Sequence, residues 1–140
     1  MSIRIILADD HKAVRETLRM LLEAEDDMVV VGEAADGLAT LRLAAELRPD
    51  VVVMDIGMPV MNGIEATRHL REALPEIRVV ALSAFAIKAY AIEMLEAGTS
   101  VYIVKSEAGE ELVRGVHAAV QGRKYLCPII AAMMGDDNSR

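Results

Sequence analysis

Three sets of polar residues in this chain each follow directly on a short apolar run, and this placement constrains the fold more than any other feature. Ile5-Ile6-Leu7-Ala8 leads to Asp9-Asp10, Val51-Val52-Val53-Met54 to Asp55, and Val101-Tyr102-Ile103-Val104 to Lys105. Runs of this length separated by helical patterns read as parallel strands buried on both faces. Residues that follow such strands collect at the carboxyl edge of the sheet, where open α/β sheets bind their ligands. Three carboxylates and an amine are therefore predicted to share one crevice.

The remaining pattern fits that sheet. Strand and helix alternate five times, which predicts a five-stranded parallel sheet with helices on both faces. Val14, Leu18, Leu21 and Leu22 give the first helix its apolar stripe, and a strand is expected near 29–34. Asp36 is placed to cap the next helix, and Pro49 separates that helix from the Val51 run. Gly57-Met58-Pro59 and Asn62-Gly63 read as loop, followed by a helix that Pro75 ends. Val79 to Leu82 forms a strand closing at Ser83, and a helix from about Ile87 stops at Gly98, a left-handed cap. Right-handed crossovers leave few strand orders, and the doubly wound, flavodoxin-like order 2-1-3-4-5 puts the ends of the first and third strands side by side. Asp9, Asp10 and Asp55 then meet at the switch point, flanked by Ser83 and Lys105.

Composition narrows the function. With 140 residues the chain suits one domain. Acidic residues outnumber basic ones 22 to 15, for a net charge of −7, so DNA contact by this chain alone is not expected, because phosphate binding calls for clustered Lys and Arg. The single Cys127 allows no internal disulfide and reads as a small apolar filler in a reducing compartment. No apolar stretch approaches membrane-spanning length, and Met1-Ser2-Ile3-Arg4 runs into a strand rather than a signal peptide. A cytoplasmic domain is expected. Residues 135–140 read as a disordered polar tail.

The clustered carboxylates need a chemical partner. Two of them about 4 Å apart repel by roughly 4 kcal/mol at an effective dielectric of about 20. Hard oxygen ligands of this kind suit Mg2+, which keeps waters and leaves room for a phosphoryl oxygen. An aspartate can attack phosphorus to give an acyl phosphate, with cations offsetting the charge on the transferred group. On this reading Asp55 is the nucleophile, Asp10 and Asp9 form the metal side, Lys105 is the counter-cation and Ser83 is a hydrogen-bond donor to the phosphoryl group. A phosphohydrolase built on an aspartyl phosphate would want a second aspartate at position 57, where this chain has glycine. Nucleotide or flavin binding fails on Asp9-Asp10, which would repel a phosphate where a glycine-rich turn is needed.

Asp9-Asp10-His11, the block from Asp55-Ile56-Gly57-Met58-Pro59 through Asn62-Gly63-Ile64-Glu65-Ala66-Thr67, Leu82-Ser83-Ala84 and Tyr102-Ile103-Val104-Lys105 together resemble the receiver domain of bacterial two-component response regulators, closest to the NarL/FixJ (LuxR-type) subfamily. The resemblance implies a CheY-like fold and assigns roles. Asp55 would accept a phosphoryl group from a sensor histidine kinase, and Asp10, Asp55 and the Gly57 carbonyl would ligate Mg2+, with Asp9 acting through water. Lys105, Ser83 and Ala84 would contact the phosphoryl group. Ser83 and Tyr102 would be the switch pair that biases helix four, strand five and helix five. Such a domain is a signalling phosphoacceptor rather than an enzyme acting on other substrates.

The resemblance covers about 2–122, so a receiver domain is expected over 1–122 and a linker-like segment over 123–140. Gly122-Arg123-Lys124-Tyr125-Leu126-Cys127-Pro128 resembles the stretch that leads into a helix-turn-helix domain in such regulators. The expectation is a receiver cut from a transcription factor whose DNA-binding domain is absent here. A single-domain receiver, or a degenerate one acting only as a protein-interaction module, is the alternative. Ser106 stands where many receivers have proline, and a cis bond is not assumed there. Gly57 and Phe85 occupy positions that tune phosphate lifetime, and a long-lived phosphoryl state is expected. His11, His69 and His117 read as surface residues. Phe85, Ile87, Tyr90, Ala91, Met94 and Leu95 exceed what one buried helix face requires, which raises the prospect of a homodimer or partner surface.

Overall fold

In the computed structural model, residues 2–138 are described, with side chains as far as Gly135. The elements alternate in chain order: β1 (Ile3–Ala8), α1 (Lys12–Glu23), β2 (Met28–Ala34), α2 (Gly37–Leu47), β3 (Val51–Asp55), α3 (Gly63–Ala73), β4 (Arg78–Ser83), α4 (Lys88–Ala97), β5 (Val101–Val104), α5 (Ala108–Val120), β6 (Tyr125–Leu126) and α6 (Pro128–Asn138). All strands are parallel, in the order β2-β1-β3-β4-β5-β6. The first five follow the expected order, and among the described residues the sheet has six strands rather than five.

The apolar runs form strands because helices cover both faces of the sheet. Ile5 to Leu7, Val51 to Met54 and Val101 to Ile103 are essentially without solvent contact, so both sets of alternating side chains are buried and each run must be apolar throughout. The helices supply the matching stripes. Leu18 and Leu22 of α1, Ala44 of α2, Leu70 of α3, Met94 of α4, and Leu112 and Val116 of α5 close the core.

Local signals set the helix ends. Asp36 accepts from the Ala39 amide at 2.7 Å and Asn62 from the Glu65 amide at 2.9 Å, each satisfying a first-turn donor. Asn62-Gly63 is thus the start of α3 rather than open loop. Gly98 ends α4 with φ +119, as expected of a left-handed cap.

The sixth strand, inside the segment 123–140, is a correction to the five-stranded sheet. Tyr125 and Leu126 pair with Val101 and Tyr102, and Cys127 and Ile130 are fully buried. The edge of β5 would otherwise present unpaired backbone groups, and a Tyr-Leu-Cys stretch with apolar side chains covers them. The expected disorder of the tail is likewise corrected: residues 135–138 belong to α6, while 139 and 140 lie outside the described residues. α6 forms because Ile130 and the partly buried Met133 and Met134 pack on the core.

Glu33 of β2 binds α1 to the sheet. Its carboxylate accepts from Arg15 Nε at 2.8 Å and from Arg19 Nη2 at 2.8 Å. Those hydrogen bonds, Arg19's first, hold Glu33 below its ordinary pKa of 4.5 against the opposing effect of burial. A depressed carboxylate contributes stability above its unfolded pKa and loses it as pH falls through the folded one. Glu33→Gln is therefore expected to lower the urea midpoint at pH 7, with the deficit closing at pH values below 4.5; a deficit independent of pH would contradict this.

Candidate functional site

The carboxyl ends of β1, β3, β4 and β5 deliver Asp9-Asp10, Asp55, Ser83 and Lys105 to one edge, as expected. The Lys105 ammonium is 2.6 Å from Asp9 Oδ2 and 3.3 Å from Asp55 Oδ1. Asp9 is 1% exposed and Asp55 4%. Asp10 is only partly buried, and its Oδ1 atom is enclosed with no hydrogen-bond partner. A cleft of about 350 Å3 opens above Asp55, walled by Gly57, Ser83, Ala84, Phe85 and Lys105.

Each side chain is held by its own strand-end turn. The His11 amide donates to Asp9 Oδ1 at 2.9 Å, and Arg15 Nη1 donates to the Asp9 carbonyl at 2.6 Å. After Asp55 the chain turns sharply: the Met61 amide donates to the Pro59 carbonyl at 2.7 Å around Val60, whose φ is +68. A β-branched residue in that region costs on the order of 1–3 kcal/mol. Bonds on either side hold the turn, from the Gly63 amide to the Ile56 carbonyl at 2.8 Å and from the Gly37 amide to the Met61 carbonyl at 2.9 Å. Both glycines are required by close approach. A Cβ on Gly63 would lie 2.1 Å from the Asp55 carbonyl oxygen, and one on Gly37 would lie 2.2 Å from that of Met61.

Electrostatics separate the partners. Burial, then the charge of Asp9, raises the Asp55 pKa above its ordinary 3.8, although Lys105 opposes the rise. Burial works against the Lys105 ammonium too, but its hydrogen bond to Asp9 and the charges of Asp55 and Asp9 prevail, and its pKa is raised. The lysine is thus firmly charged, while the Asp55 carboxylate is held at a cost. A further cation or a covalent change at Asp55 would relieve that cost.

Ser83 does not face the cleft with a free hydroxyl. Its Oγ donates to the Phe85 carbonyl at 3.0 Å and accepts from the Phe85 amide at 3.2 Å, fixing the turn into α4. Tyr102 is fully buried, and its hydroxyl lies toward Ser83 without a well-formed hydrogen bond among the described residues. Burial pushes its pKa up.

The structure adds residues that the sequence pattern did not single out. Arg15 secures the Asp9 backbone, and Tyr90, expected only as part of an apolar partner surface, also lines the cleft; neither belongs to a strand end. His11 is exposed, as expected, but its Nδ1 lies 3.2 Å from Asp10 Oδ1. Asp9, Asp10 and His11 offer ligand atoms within 4.8 Å of one another. His69 is exposed, whereas His117 bonds Asp27 at 2.8 Å. On α4, Ala91 and Met94 are core residues and Tyr90 and Ile92 reach solvent, while in the turn before it Phe85 is 62% exposed and Ile87 is also exposed. The peptide bonds among the described residues are all trans. No helix among them is long and apolar enough to cross a membrane.

The response regulator receiver domain family matches residues 5–117. The transcriptional regulatory protein YxjL of Bacillus subtilis is 38% identical over 138 residues, which span 99% of this chain and 63% of that protein. LiaR of the same organism, also a transcriptional regulatory protein, is 40% identical over 124 residues, 89% of this chain and 59% of its own. The chain thus spans about three fifths of these curated relatives. A crystal structure of a LuxR-family two-component response regulator from Aurantimonas sp. SI85-9A1 superposes with a TM-score of 0.94 at 39% identity, covering all of both chains.

Two outcomes follow from this geometry. Gly63→Ala is expected to cost about 2 kcal/mol or more in urea unfolding, since the added carbon meets backbone and not a movable side chain. Asp55→Asn is expected to stabilise the cation-free domain at pH 7. The raised pKa means that ionised Asp55 opposes folding above its folded pKa. The gain should vanish below the ordinary value of 3.8; a variant less stable than wild type at pH 7 would contradict the assignment.

Proposed function

Because this chain belongs to the response regulator receiver domains, we propose that it is the phosphoacceptor of a two-component system and that Asp55 carries the phosphoryl group. The observation that supports this most is the meeting of a buried, disfavoured Asp55 carboxylate with the Lys105 ammonium, 3.3 Å away, at the floor of an open cleft. An Asp55 oxygen attacks phosphorus of a phosphohistidine. The O–P bond forms as the N–P bond breaks, and the imidazole leaves with the electron pair and takes up a proton. Lys105 balances charge on the transferred oxygens, and Ser83 and the Ala84 backbone reach the same oxygens from the β4 end. The modified Asp55 then carries about 1.5 to 2 negative charges, enough to draw Ser83 away from Phe85 and to bias Tyr102, α4, β5 and α5.

The acidic edge also fits Mg2+. The enclosed Asp10 Oδ1 atom, whose one near neighbour among the described residues is the His11 ring, and the strained charge balance at Asp55 suit a hard cation, held by Asp10, Asp55 and the Gly57 carbonyl, with Asp9 acting through water. When bound, the ion supplies charge neutralisation for phosphoryl oxygens. The phosphodonor is a sensor histidine kinase, the compartment is the cytoplasm, and control of transcription passes through a DNA-binding domain outside this chain. The apolar surface from Phe85 to Ile92 suits a homodimer contact. Receiver domains are signalling modules, and the chemistry proposed for this one is limited to its own phosphorylation and dephosphorylation.

Incubation with Mg2+ and acetyl phosphate is expected to add one phosphoryl mass to the intact protein and none to Asp55→Asn. No gain in either, with Mg2+ binding demonstrated, would overturn the phosphoacceptor reading in favour of a binding module. With no side chain at Gly57 to guide a hydrolytic water and Phe85 over the cleft, the label should persist. Phe85→Ala should shorten its half-life severalfold in the same mass assay, and an unchanged half-life would exclude shielding by Phe85.

A further inference from the structure

The segment beyond the family match bears directly on the site. β6 and its flanks bind β5 along the residues that lead to Lys105. The Tyr125 amide donates to the Ser100 carbonyl at 2.9 Å and the Cys127 amide to the Tyr102 carbonyl at 3.0 Å. The Val104 amide donates to Cys127 Sγ at 3.4 Å. The Tyr125 hydroxyl donates to Glu111, a buried carboxylate of α5. Cys127 and Ile130 plug the core, and α6 packs against both β5 and α4. The attachment is nonetheless narrow. β6 is two residues long, entered from exposed Arg123 and Lys124 and left at exposed Pro128.

The same contacts lead back to the cleft. The turn into α4 is held by the paired Ser83–Phe85 bonds, and α4 supports α6. Behind them lies the buried Tyr102 hydroxyl, set toward Ser83 without a well-formed hydrogen bond among the described residues, on the strand that β6 joins. A hydroxyl that turns from Phe85 to an anion on Asp55 gives up both bonds at the start of α4. The support under α6 then changes, while Lys105 shifts the chain just after Val104.

We propose that β6 and α6 form a detachable edge of this receiver, held on β5 and α4 when Asp55 is unmodified and loosened when Asp55 carries a phosphoryl group. Loosening uncovers the β5 edge and the hollow filled by Cys127 and Ile130. This rests on Asp55 as phosphoacceptor and adds the element through which its state leaves the domain. Coupling free energies between sites commonly correspond to about 5- to 150-fold, and the narrow joint is suited to transmit an effect of that size.

Hydrogen exchange of the full chain in Mg2+, with and without the phosphoryl mimic beryllofluoride, tests this. Binding is followed independently by fluorine NMR. The amides of Tyr125, Cys127 and Ala131 are expected to exchange at least about fivefold faster in the bound state, with those of β1 unchanged. Equal or slower exchange in protein shown to hold beryllofluoride would overturn the detachable edge and leave the phosphoacceptor reading intact. Failure of both beryllofluoride binding and acetyl phosphate labelling would instead sink that reading, and the detachable edge with it. Tyr125→Phe, which removes the hydroxyl bond to Glu111, supplies a second test. It should speed the same amides without ligand, and exchange left at the wild-type rate would show that this joint does not hold the edge.

Discussion

The Lys105 ammonium, 2.6 Å from Asp9 and 3.3 Å from Asp55, makes the carboxyl edge of this sheet possible. Two carboxylates almost out of solvent would not stay ionised side by side unaided. Lysine at the end of β5 reaches across to β3 and β1 and supplies the missing charge. The compensation is incomplete, since Asp55 remains harder to ionise than a free aspartate. That residual imbalance is the chemical resource of the site. On the function proposed above, a divalent cation and a change at Asp55 itself would each relieve it.

The surrounding backbone is arranged so that the imbalance can be held. Gly63 brings α3 against the Asp55 carbonyl, Gly37 brings α2 against Met61, and the strained turn at Val60 lies between those two contacts. Arg15 spans two tasks, holding the Asp9 carbonyl and the Glu33 carboxylate. The site therefore shares its supports with the packing of α1 and α2. The other wall is looser. The well-formed bonds of Ser83 are to its own turn, and the Tyr102 hydroxyl beside it makes none among the described residues. One side of the cleft is fixed and the other has bonds to exchange.

Much of this was legible in the sequence because strand burial and the polar residue that follows leave a plain signature. Asp9, Asp10, Asp55, Ser83 and Lys105 each follow an apolar run, and the order of the first five strands follows from crossover handedness. The sixth strand was not legible. Tyr125-Leu126 is too short for a periodic pattern, and its pairing depends on an open β5 edge that exists only after folding. Arg15, and the place of Tyr90 in the cleft, were not legible for a related reason. Both lie on helices, where the turn that reaches the site is a matter of three-dimensional approach. The buried Ala91 and Met94 and the exposed Phe85 and Ile87 looked alike in an apolar stretch, because α4 is apolar on nearly all sides and gives no face to read.

Every role proposed for this edge depends on Asp55 as the accepting group, and the most direct test is chemical. Borohydride reduces an acyl phosphate and converts the aspartyl residue that bore it to homoserine. After treatment with Mg2+ and acetyl phosphate, reduction and peptide mapping should find homoserine at position 55, with Asp9 and Asp10 intact. Homoserine at 9 or 10, or an unreduced chain that nevertheless carries phosphoryl mass, would contradict the assignment of the nucleophile.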